Sequence, residues 1–316
     1  MKAKSRNKRQ SFFCISIFFL FILCHGFAFY THHNIQYAVI PLSFKHWYPS
    51  VMVNIGGKPF PIMFDLGGGH EMVLGDGLLK RHLKHYTYTG ETITTYDAEG
   101  RSDVQREVKL KTMQLGNLVF NNVTAFEMKD EVSKNWGGGV PDDSEVILNG
   151  HIDTHFFMRH HLNILIDYKA QKLYIIRGEG HPPGYSTNEH MHSWHKTKFF
   201  PPNITTHAQL NSTEVKLLWD TGAQFHYIKK GLIQGKKSPC SQLVASELGL
   251  PRTKCYGIET DLMIPEASGK LSHIGPAVFY PYDLSSILEI DGILSAPFFK
   301  EHVVYINFSE KTVSWY

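Results

Sequence analysis

Charged residues are scarce and nearly balanced in this sequence. Asp, Glu, Lys and Arg make up 19% of its 316 residues, and the formal net charge is only +3. Basic side chains are concentrated in residues 1–10, so the rest of the chain is close to neutral. A nucleic-acid-binding domain would carry a concentrated basic face, and none is indicated here. The hydrophobic fraction of 42% is typical of a globular protein rather than a disordered one.

Cysteine is also rare. Of the four cysteines, Cys14 and Cys24 lie in an N-terminal apolar segment, which leaves Cys240 and Cys255 in the remainder of the chain. In an oxidising compartment this pair can form one disulfide, closing a loop near Pro239. The alternative is two unpaired thiols.

Long apolar runs are absent except for one at the N terminus, residues 12–24, which follows the basic start. Its length suits a signal-peptide core, and the small residues Gly26 and Ala28 are typical of a cleavage site. If the run is counted through residue 30, it is almost long enough to span a bilayer as an uncleaved anchor. We expect residues 1–34 to be a signal peptide or a membrane anchor that attaches through residues 11–30. The basic end would stay in the cytoplasm, so the rest is expected to be secreted, periplasmic or membrane-anchored outside it.

The remainder of the chain contains an internal repeat. Residues 58–79 and 213–233 each consist of an apolar strand ending in Asp, a glycine-containing turn and a second short apolar strand. Each copy is followed by a small-residue step, a Phe-Phe pair and a β-hairpin. These features are Ile147–Gly150 with Phe156–Phe157 and the hairpin 166–174, and Gly292–Ser295 with Phe298–Phe299 and the hairpin 306–314.

The repeat predicts two lobes related by a pseudo-twofold axis. Clusters of Val, Ile, Phe and Tyr between Gly, Asn and Pro favour strands, so the fold class is expected to be mostly all-β with two barrel-like lobes. We predict an N-terminal lobe over residues 35–176, a linker rich in Gly, Pro and His over 177–198, and a C-terminal lobe over 199–316. The pseudo-twofold axis would bring the two Asp-containing turns together in a cleft between the lobes.

The two turns resemble the Asp-Thr/Ser-Gly loops of pepsin-like aspartic peptidases. Two copies in one chain favour the bilobal pepsin arrangement over the retroviral one, in which each chain supplies one lobe of a dimer. The resemblance extends from Ile35 to the C terminus and implies a monomer with the pepsin (acid-protease) fold, a peptide or protein substrate, no cofactor and no metal. It assigns catalysis to Asp65 and Asp220, and support of the active-site loops to Gly67, Gly68, Thr221, Gly222 and Ala223.

The chemistry implied by the resemblance is aspartic endopeptidase activity. Two carboxylates about 3 Å apart cannot both ionise cheaply, so the pair holds one proton. The ionised member activates a water for attack on the peptide carbonyl, and the protonated member polarises the carbonyl oxygen. Family members cover the cleft with a hairpin from the first lobe, and residues 92–101 predict such a flap with Tyr96 near its tip.

Leu66 departs from the family pattern. In the family this residue carries a hydroxyl that hydrogen-bonds across the lobe interface; Thr221 can make that bond and Leu66 cannot. Gly68 also lacks the hydroxyl that would support Asp65. The alternative function is therefore a catalytically weakened peptide-binding protein on the same fold. Leu66→Thr is expected to raise turnover or stability by about 1 kcal/mol. If the core has adapted to leucine, the buried hydroxyl would instead cost a similar amount.

Histidine is abundant, with 19 residues, so a zinc enzyme is a further alternative. The segment His190–His195 resembles a metallo-hydrolase cluster, but Trp194 stands where that cluster has Asp. His70-Glu71 is not followed by a second His at zincin spacing. The remaining candidates follow no ligand spacing and are expected to lie on the surface; they are His151, His155, His160 and His161.

Overall fold

The computed structural model describes residues 30–32, 35–44, 48–82, 86–129, 149–182, 184–185 and 194–316. The predicted signal peptide or anchor, residues 1–34, lies almost entirely outside these ranges. Within them, no helix is both long enough and apolar enough to cross a membrane. The export of this chain therefore stays a prediction.

Strands dominate the described residues, and the helices are short. The strands are β1 (Tyr30–His32), β2 (Ile35–Pro41), β3 (Ser50–Ile55), β4 (Lys58–Asp65), β5 (Met72–Gly75), β6 (Tyr86–Tyr96), β7 (Ser102–Leu115), β8 (Leu118–Met128), β9 (Gly150–Asp153), β10 (Leu162–Asp167), β11 (Lys172–Arg177), β12 (His195–Lys198), β13 (Thr205–Leu210), β14 (Thr213–Trp219), β15 (His226–Lys229), β16 (Lys236–Pro239), β17 (Tyr256–Pro265), β18 (Leu271–Tyr282), β19 (Gly292–Leu294), β20 (Val304–Asn307) and β21 (Thr312–Trp315). The helices are α1 (Asp76–His82), α2 (Thr154–Arg159), α3 (Gln242–Glu247) and α4 (Ala296–Glu301), with 3₁₀ turns η1 (Arg252–Lys254) and η2 (Ser286–Leu288).

The first lobe is a closed barrel in the order β3-β4-β9-β5-β8-β7, sealed by pairing of β7 with β3, and β6 extends it beyond β7. Buried and more exposed side chains alternate along β4. The buried ones, Phe60, Ile62 and Phe64, point into the core and so fix the position of the strand. The turn before β4 needs positive φ at both Gly56 and Gly57, which glycine adopts without strain.

The second lobe repeats this barrel strand for strand. Its order is β13-β14-β19-β15-β18-β17, closed by pairing of β17 with β13, and β16 extends it beyond β17. Along β14, Val215, Leu217 and Trp219 are buried as their counterparts on β4 are. The predicted mostly-β architecture of two related barrels is confirmed.

A third sheet connects the lobes in the order β1-β2-β11-β10-β20-β21-β12. Its central pair is β10 with β20, which sets Ile164 opposite Ile306 and so joins the closing hairpins of the two lobes. Strand β12 lies in the segment predicted as a linker and pairs with β21. The domain boundaries themselves stay a prediction.

The strand register corrects one part of the predicted repeat. Phe64 pairs with Ile152, and its counterpart Trp219 pairs with Leu294. The segment equivalent to Gly292–Leu294 is therefore Gly150–Ile152, and the predicted match with Ile147–Gly150 was wrong by three residues. The error arose because a small residue was used as the marker instead of the distance to the Phe-Phe pair. In the corrected alignment Asp153 takes the place of Ser295.

Candidate active site

Asp65 and Asp220 meet at the interface of the two barrels. Asp65 ends β4, and Asp220 directly follows β14. Strand β4 pairs in parallel with β9, and β14 pairs in parallel with β19. A methyl group at Gly222 would come within 2.6 Å of Oδ1 of Asp65, and one at Gly67 would overlap the carboxylate of Asp220. Each loop thus passes directly over the opposite aspartate, and only glycine leaves room for that approach.

The two carboxyl groups hydrogen-bond to each other and to their own loops. Oδ1 of Asp65 accepts from Gly67 N at 2.8 Å, and Oδ1 of Asp220 accepts from Gly222 N at 2.6 Å and from Ala223 N at 3.1 Å. Burial, followed by the neighbouring charge of Asp65, raises the pKa of Asp220 well above its ordinary value. The arrangement therefore favours a proton on Asp220 at a pH where an isolated aspartate would be ionised.

The hydroxyl of Thr221 in the second Asp loop bonds across the lobe interface to the first Asp loop. The hydroxyl of Thr221 donates to Phe64 O at 2.8 Å and accepts from Leu66 N at 3.0 Å. The side chain of Leu66 is fully buried and packs in the apolar core instead. On its own side, Leu66 O accepts from the hydroxyl of Thr154 at 2.8 Å. The second lobe therefore holds the first through Thr221, and the side chain of Leu66 makes no matching hydrogen bond in return.

A buried His-Asp pair, which sequence reasoning missed, lies beside Asp65. Asp153 is opposite Asp65 in the register of β4 and β9, and its carboxylate hydrogen-bonds to Nδ1 of His151. His151 is only 2% exposed, so its predicted surface position was wrong. A side chain at Gly68 would overlap the carboxylate of Asp153, which occupies that space. Alignment of the two copies on their Phe-Phe pairs would have revealed this substitution.

Asp65, His151 and Asp153 are the residues that could share a metal ion. Among the described residues they form the one group of three such side chains whose potential ligand atoms all lie within 4.8 Å of one another. These donors already have protein partners: His151 with Asp153, Asp153 with His70 N at 3.1 Å, and Asp65 with Gly67 N. The segment His190–Ser193, weighed as a zinc cluster, lies outside the described residues.

Comparisons with known proteins agree with this geometry. A family model described as "Aspartyl protease" matches residues 51–148. The structure is similar to that of an aspartic proteinase from Irpex lacteus, with a TM-score of 0.55 and 10% sequence identity over 89% of this chain and 97% of that one. No curated protein matches the sequence. The chain has the fold of the pepsin-like aspartic peptidases. The resemblance inferred from the two Asp loops is confirmed.

The cleft of this aspartic peptidase fold is roofed by the predicted hairpin. The cavity beneath it measures about 610 Å³ and is lined by Asp65, Asp220 and Tyr96 among others. Tyr96 ends β6 and is 46% exposed, and its role as a flap residue stays a prediction.

The tip of the flap is bonded to the second lobe. Ser285 N donates to Ala98 O at 2.8 Å, and the hydroxyl of Tyr282 donates to Oε1 of Glu99 at 2.5 Å. At Gly100, which has positive φ, an added methyl group would lie 2.6 Å from Oγ of Ser285. The hairpin of the first lobe therefore contacts the second lobe at its tip.

One wall of the second lobe is held by a disulfide. Cys240 and Cys255 are bonded, with their Cα atoms 5.4 Å apart, and both are buried. The bond connects the residue after β16 to the residue after η1. Leu248 and Gly249, which lie inside this loop, line the cavity. The bridge thus fixes a segment that forms the cleft rather than a distant surface.

Full burial of Leu66 reverses the expectation that a hydroxyl would help there. Leu66→Thr is expected to lower the free energy of unfolding by about 1–2 kcal/mol, since it removes packed apolar atoms and places a hydroxyl in apolar surroundings. Leu66→Val is the matched control, because valine has the shape of threonine without the hydroxyl. Urea unfolding of both variants isolates the hydroxyl. A threonine variant more stable than the valine variant would show that the reciprocal cross-lobe bond does form.

Proposed function

We propose that this protein is an aspartic endopeptidase that hydrolyses peptide bonds with a water molecule held between Asp65 and Asp220. The proposal is carried by one observation: each aspartate lies beneath the glycine loop of the other lobe, so the two carboxyl groups share one site. Such a pair retains one proton and can act as base and acid in the same turnover.

The reaction follows from that shared proton. The ionised carboxylate removes a proton from the water as its oxygen attacks the carbonyl carbon of the substrate. The protonated carboxyl donates to the carbonyl oxygen, which becomes the hydroxyl of a tetrahedral intermediate. The C–N bond then breaks as a proton passes to the leaving nitrogen, and the dyad returns to its monoprotonated state. The roofed cleft supports a peptide or an unfolded segment as the substrate.

Two further parts of the proposal concern export and the oligomeric state. Residues 1–34 are proposed to deliver the chain across a membrane, either as a cleaved signal peptide or as an anchor. The two barrels of one chain complete the dyad, so we propose that the monomer is the working unit. The alternative of a peptide-binding protein without turnover is favoured by one feature, the apolar side chain of Leu66 at the interface.

A pH series on wild-type protein tests turnover directly. An unfolded protein is the substrate, a chelator is present throughout, and cleavage products are identified by mass spectrometry. Because the pKa of Asp220 is raised, its proton is retained until a higher pH, which moves the alkaline limb upward. Gly68 and Ala223 provide no hydroxyl to stabilise the ionised dyad, so we expect a bell-shaped profile centred at about pH 5 to 6.

Two results would contradict the proposed function, and a third would contradict the expected pH optimum. Absence of cleavage at every pH would favour the binding protein. Loss of cleavage with the chelator would point to metal chemistry at Asp65, His151 and Asp153. A maximum in strong acid would show that the dyad ionises as it does with hydroxyl support.

A further inference from the structure

The loop closed by the disulfide, residues 240–255, takes the place in the second lobe that the flap tip, residues 97–101, takes in the first. The last two strands of the first lobe's sheet are β7 and β6, and the flap tip is the turn that connects them. Their counterparts are β17 and β16, which pair in the same antiparallel way at the end of the second lobe's sheet. The residues that connect β16 to β17 are those of the disulfide loop. The pseudo-twofold axis therefore relates the flap tip to the disulfide loop.

Both connections reach the cavity that contains the dyad. The flap tip contributes Ala98 and Glu99 to the cavity lining, and the disulfide loop contributes Leu248 and Gly249. Gly249 has a positive φ of 61°, which turns the chain just after the end of α3. The same topological element of each lobe therefore lines the cleft.

A small apolar cluster around the disulfide holds this loop in place. Cys240, Cys255, Val244 and Ala245 are buried together, apart from the main core. Leu248 packs against this cluster, and its backbone N–H donates to Val244 O at 3.0 Å. A helix as short as α3 is marginal on its own, so its position depends on this packing and on the bond that closes the loop.

Leu248 also belongs to the apolar wall of the cleft. It packs against a second small cluster, which lines the cavity with Leu218, Tyr227, Ile290 and Ile293. Phe225 and Tyr280 pack against both clusters too, but of these three side chains the cavity lining includes only Leu248. Leu248 thus connects the disulfide directly to the space that a substrate would occupy.

We propose that the disulfide loop binds substrate as the counterpart of the flap, and that Leu248 is a specificity-determining residue that packs against one apolar side chain of the peptide. This role rests on the proposed function and adds to it the residue that selects that side chain. Leu248 is half-buried, so part of its side chain is accessible to a peptide. The flap tip presents the ion pair of Glu99 and Arg101 to the same cavity, so the two connections offer a substrate different chemistry.

The disulfide gives this contact its selectivity. Because the loop is fixed before a peptide arrives, little conformational entropy is lost at this wall on binding. A fixed apolar pocket discriminates between side chains that differ by one methylene by roughly tenfold or more in kcat/KM. Leu248 is therefore expected to act at one position of the peptide rather than on all of them.

The test is a set of peptides that carry alanine, valine, leucine or phenylalanine at one position at a time around the bond that wild-type protein cleaves. Leu248→Ala is expected to lower kcat/KM roughly tenfold or more for the preferred side chain at one position, mainly through KM. Preferences at the other positions should stay as they are. Leu250→Ala is the matched control, because this leucine lies in the same loop but is 37% exposed and outside the cavity lining. It should change no preference.

Two further variants separate a substrate contact from a structural role. Leu248→Phe fills the pocket instead of emptying it, so the preference at the same position should move to a smaller side chain. Loss of packing alone would not produce that shift. The paired change Cys240→Ala with Cys255→Ala should weaken the same preference as Leu248→Ala, and circular dichroism shows whether this variant is folded. If it does not fold, the variants at Leu248 and Leu250 decide the matter.

Three results would overturn the inference: an unchanged preference at every position in Leu248→Ala, a uniform loss at all positions, or the same effect from Leu250→Ala. Absence of wild-type turnover would refute the proposed function instead. Binding of the same peptides to wild-type protein and to Leu248→Ala, followed by fluorescence anisotropy, would then decide the role of Leu248. Selective loss of affinity at one peptide position would support it, and equal or absent binding across the set would overturn it.

Discussion

Asp220→Asn is expected to lower kcat by roughly 10²–10⁴-fold, because an amide cannot hold the proton that the carbonyl oxygen and the leaving nitrogen need. Asp65→Asn is expected to do the same, since an amide cannot remove a proton from the water. Neither change alters the size of the side chain, so the free energy of unfolding should fall little or rise. The measurements are single-peptide kinetics and urea unfolding.

Asp261→Asn is the control for these variants. Its side chain is 60% exposed on β17 and lies outside the cavity lining, so kcat should not change. Retention of most activity by a folded Asp65→Asn or Asp220→Asn variant would remove that residue from the dyad. A wild type that binds peptides without cleaving them, together with two Asn variants that still bind, would identify the peptide-binding alternative.

Thr221→Val is expected to be the most damaging change to the lobe interface. Valine keeps the shape of threonine but leaves Leu66 N–H and Phe64 C=O without the hydroxyl that each contacts. Unsatisfied buried groups cost about 1–3 kcal/mol each, so stability is expected to fall by about 2 kcal/mol or more. Because Leu66 offers no reciprocal bond, kcat should also fall.

Thr221→Ser distinguishes the contribution of the Thr221 hydroxyl from that of its methyl group. Serine retains the hydroxyl and loses one methyl, so its cost should be about 1 kcal/mol or less. Urea unfolding and peptide kinetics are measured for both variants. Equal effects of valine and serine would mean that packing of the methyl group, and not the cross-lobe hydrogen bonds, stabilises the interface.

The residues that the sequence could predict are those whose surroundings are local. Asp65 and Asp220 each follow an apolar strand and precede a glycine turn, and the duplication of that short pattern was enough to place them together. The two barrels followed from the same repeat. Thr221 and Leu66 could be compared directly because they occupy the same position in each copy.

The residues that were missed depend on long-range register. His151 looks like a surface histidine in the sequence, and its burial follows only from pairing of β9 between β4 and β5. Asp153 was hidden because the copies were aligned on small residues that are not equivalent in space. The bond between Glu99 and Tyr282 joins residues 183 positions apart, and no local pattern connects them. Such contacts become visible only when the barrels are assembled.

The two lobes are joined at places other than the Asp loops. Strand β10 pairs with β20, and the flap tip is bonded to Ser285 and Tyr282. The cleft is thus bridged by the flap rather than being an open trough. A polypeptide could pass beneath this bridge only by threading a free end through the cleft, or after the flap tip separates from Ser285 and Tyr282. A compact protein would be too thick to pass beneath the flap. Which segments enter the cleft would then depend first on how readily each one detaches from its own fold, and only afterwards on its side chains.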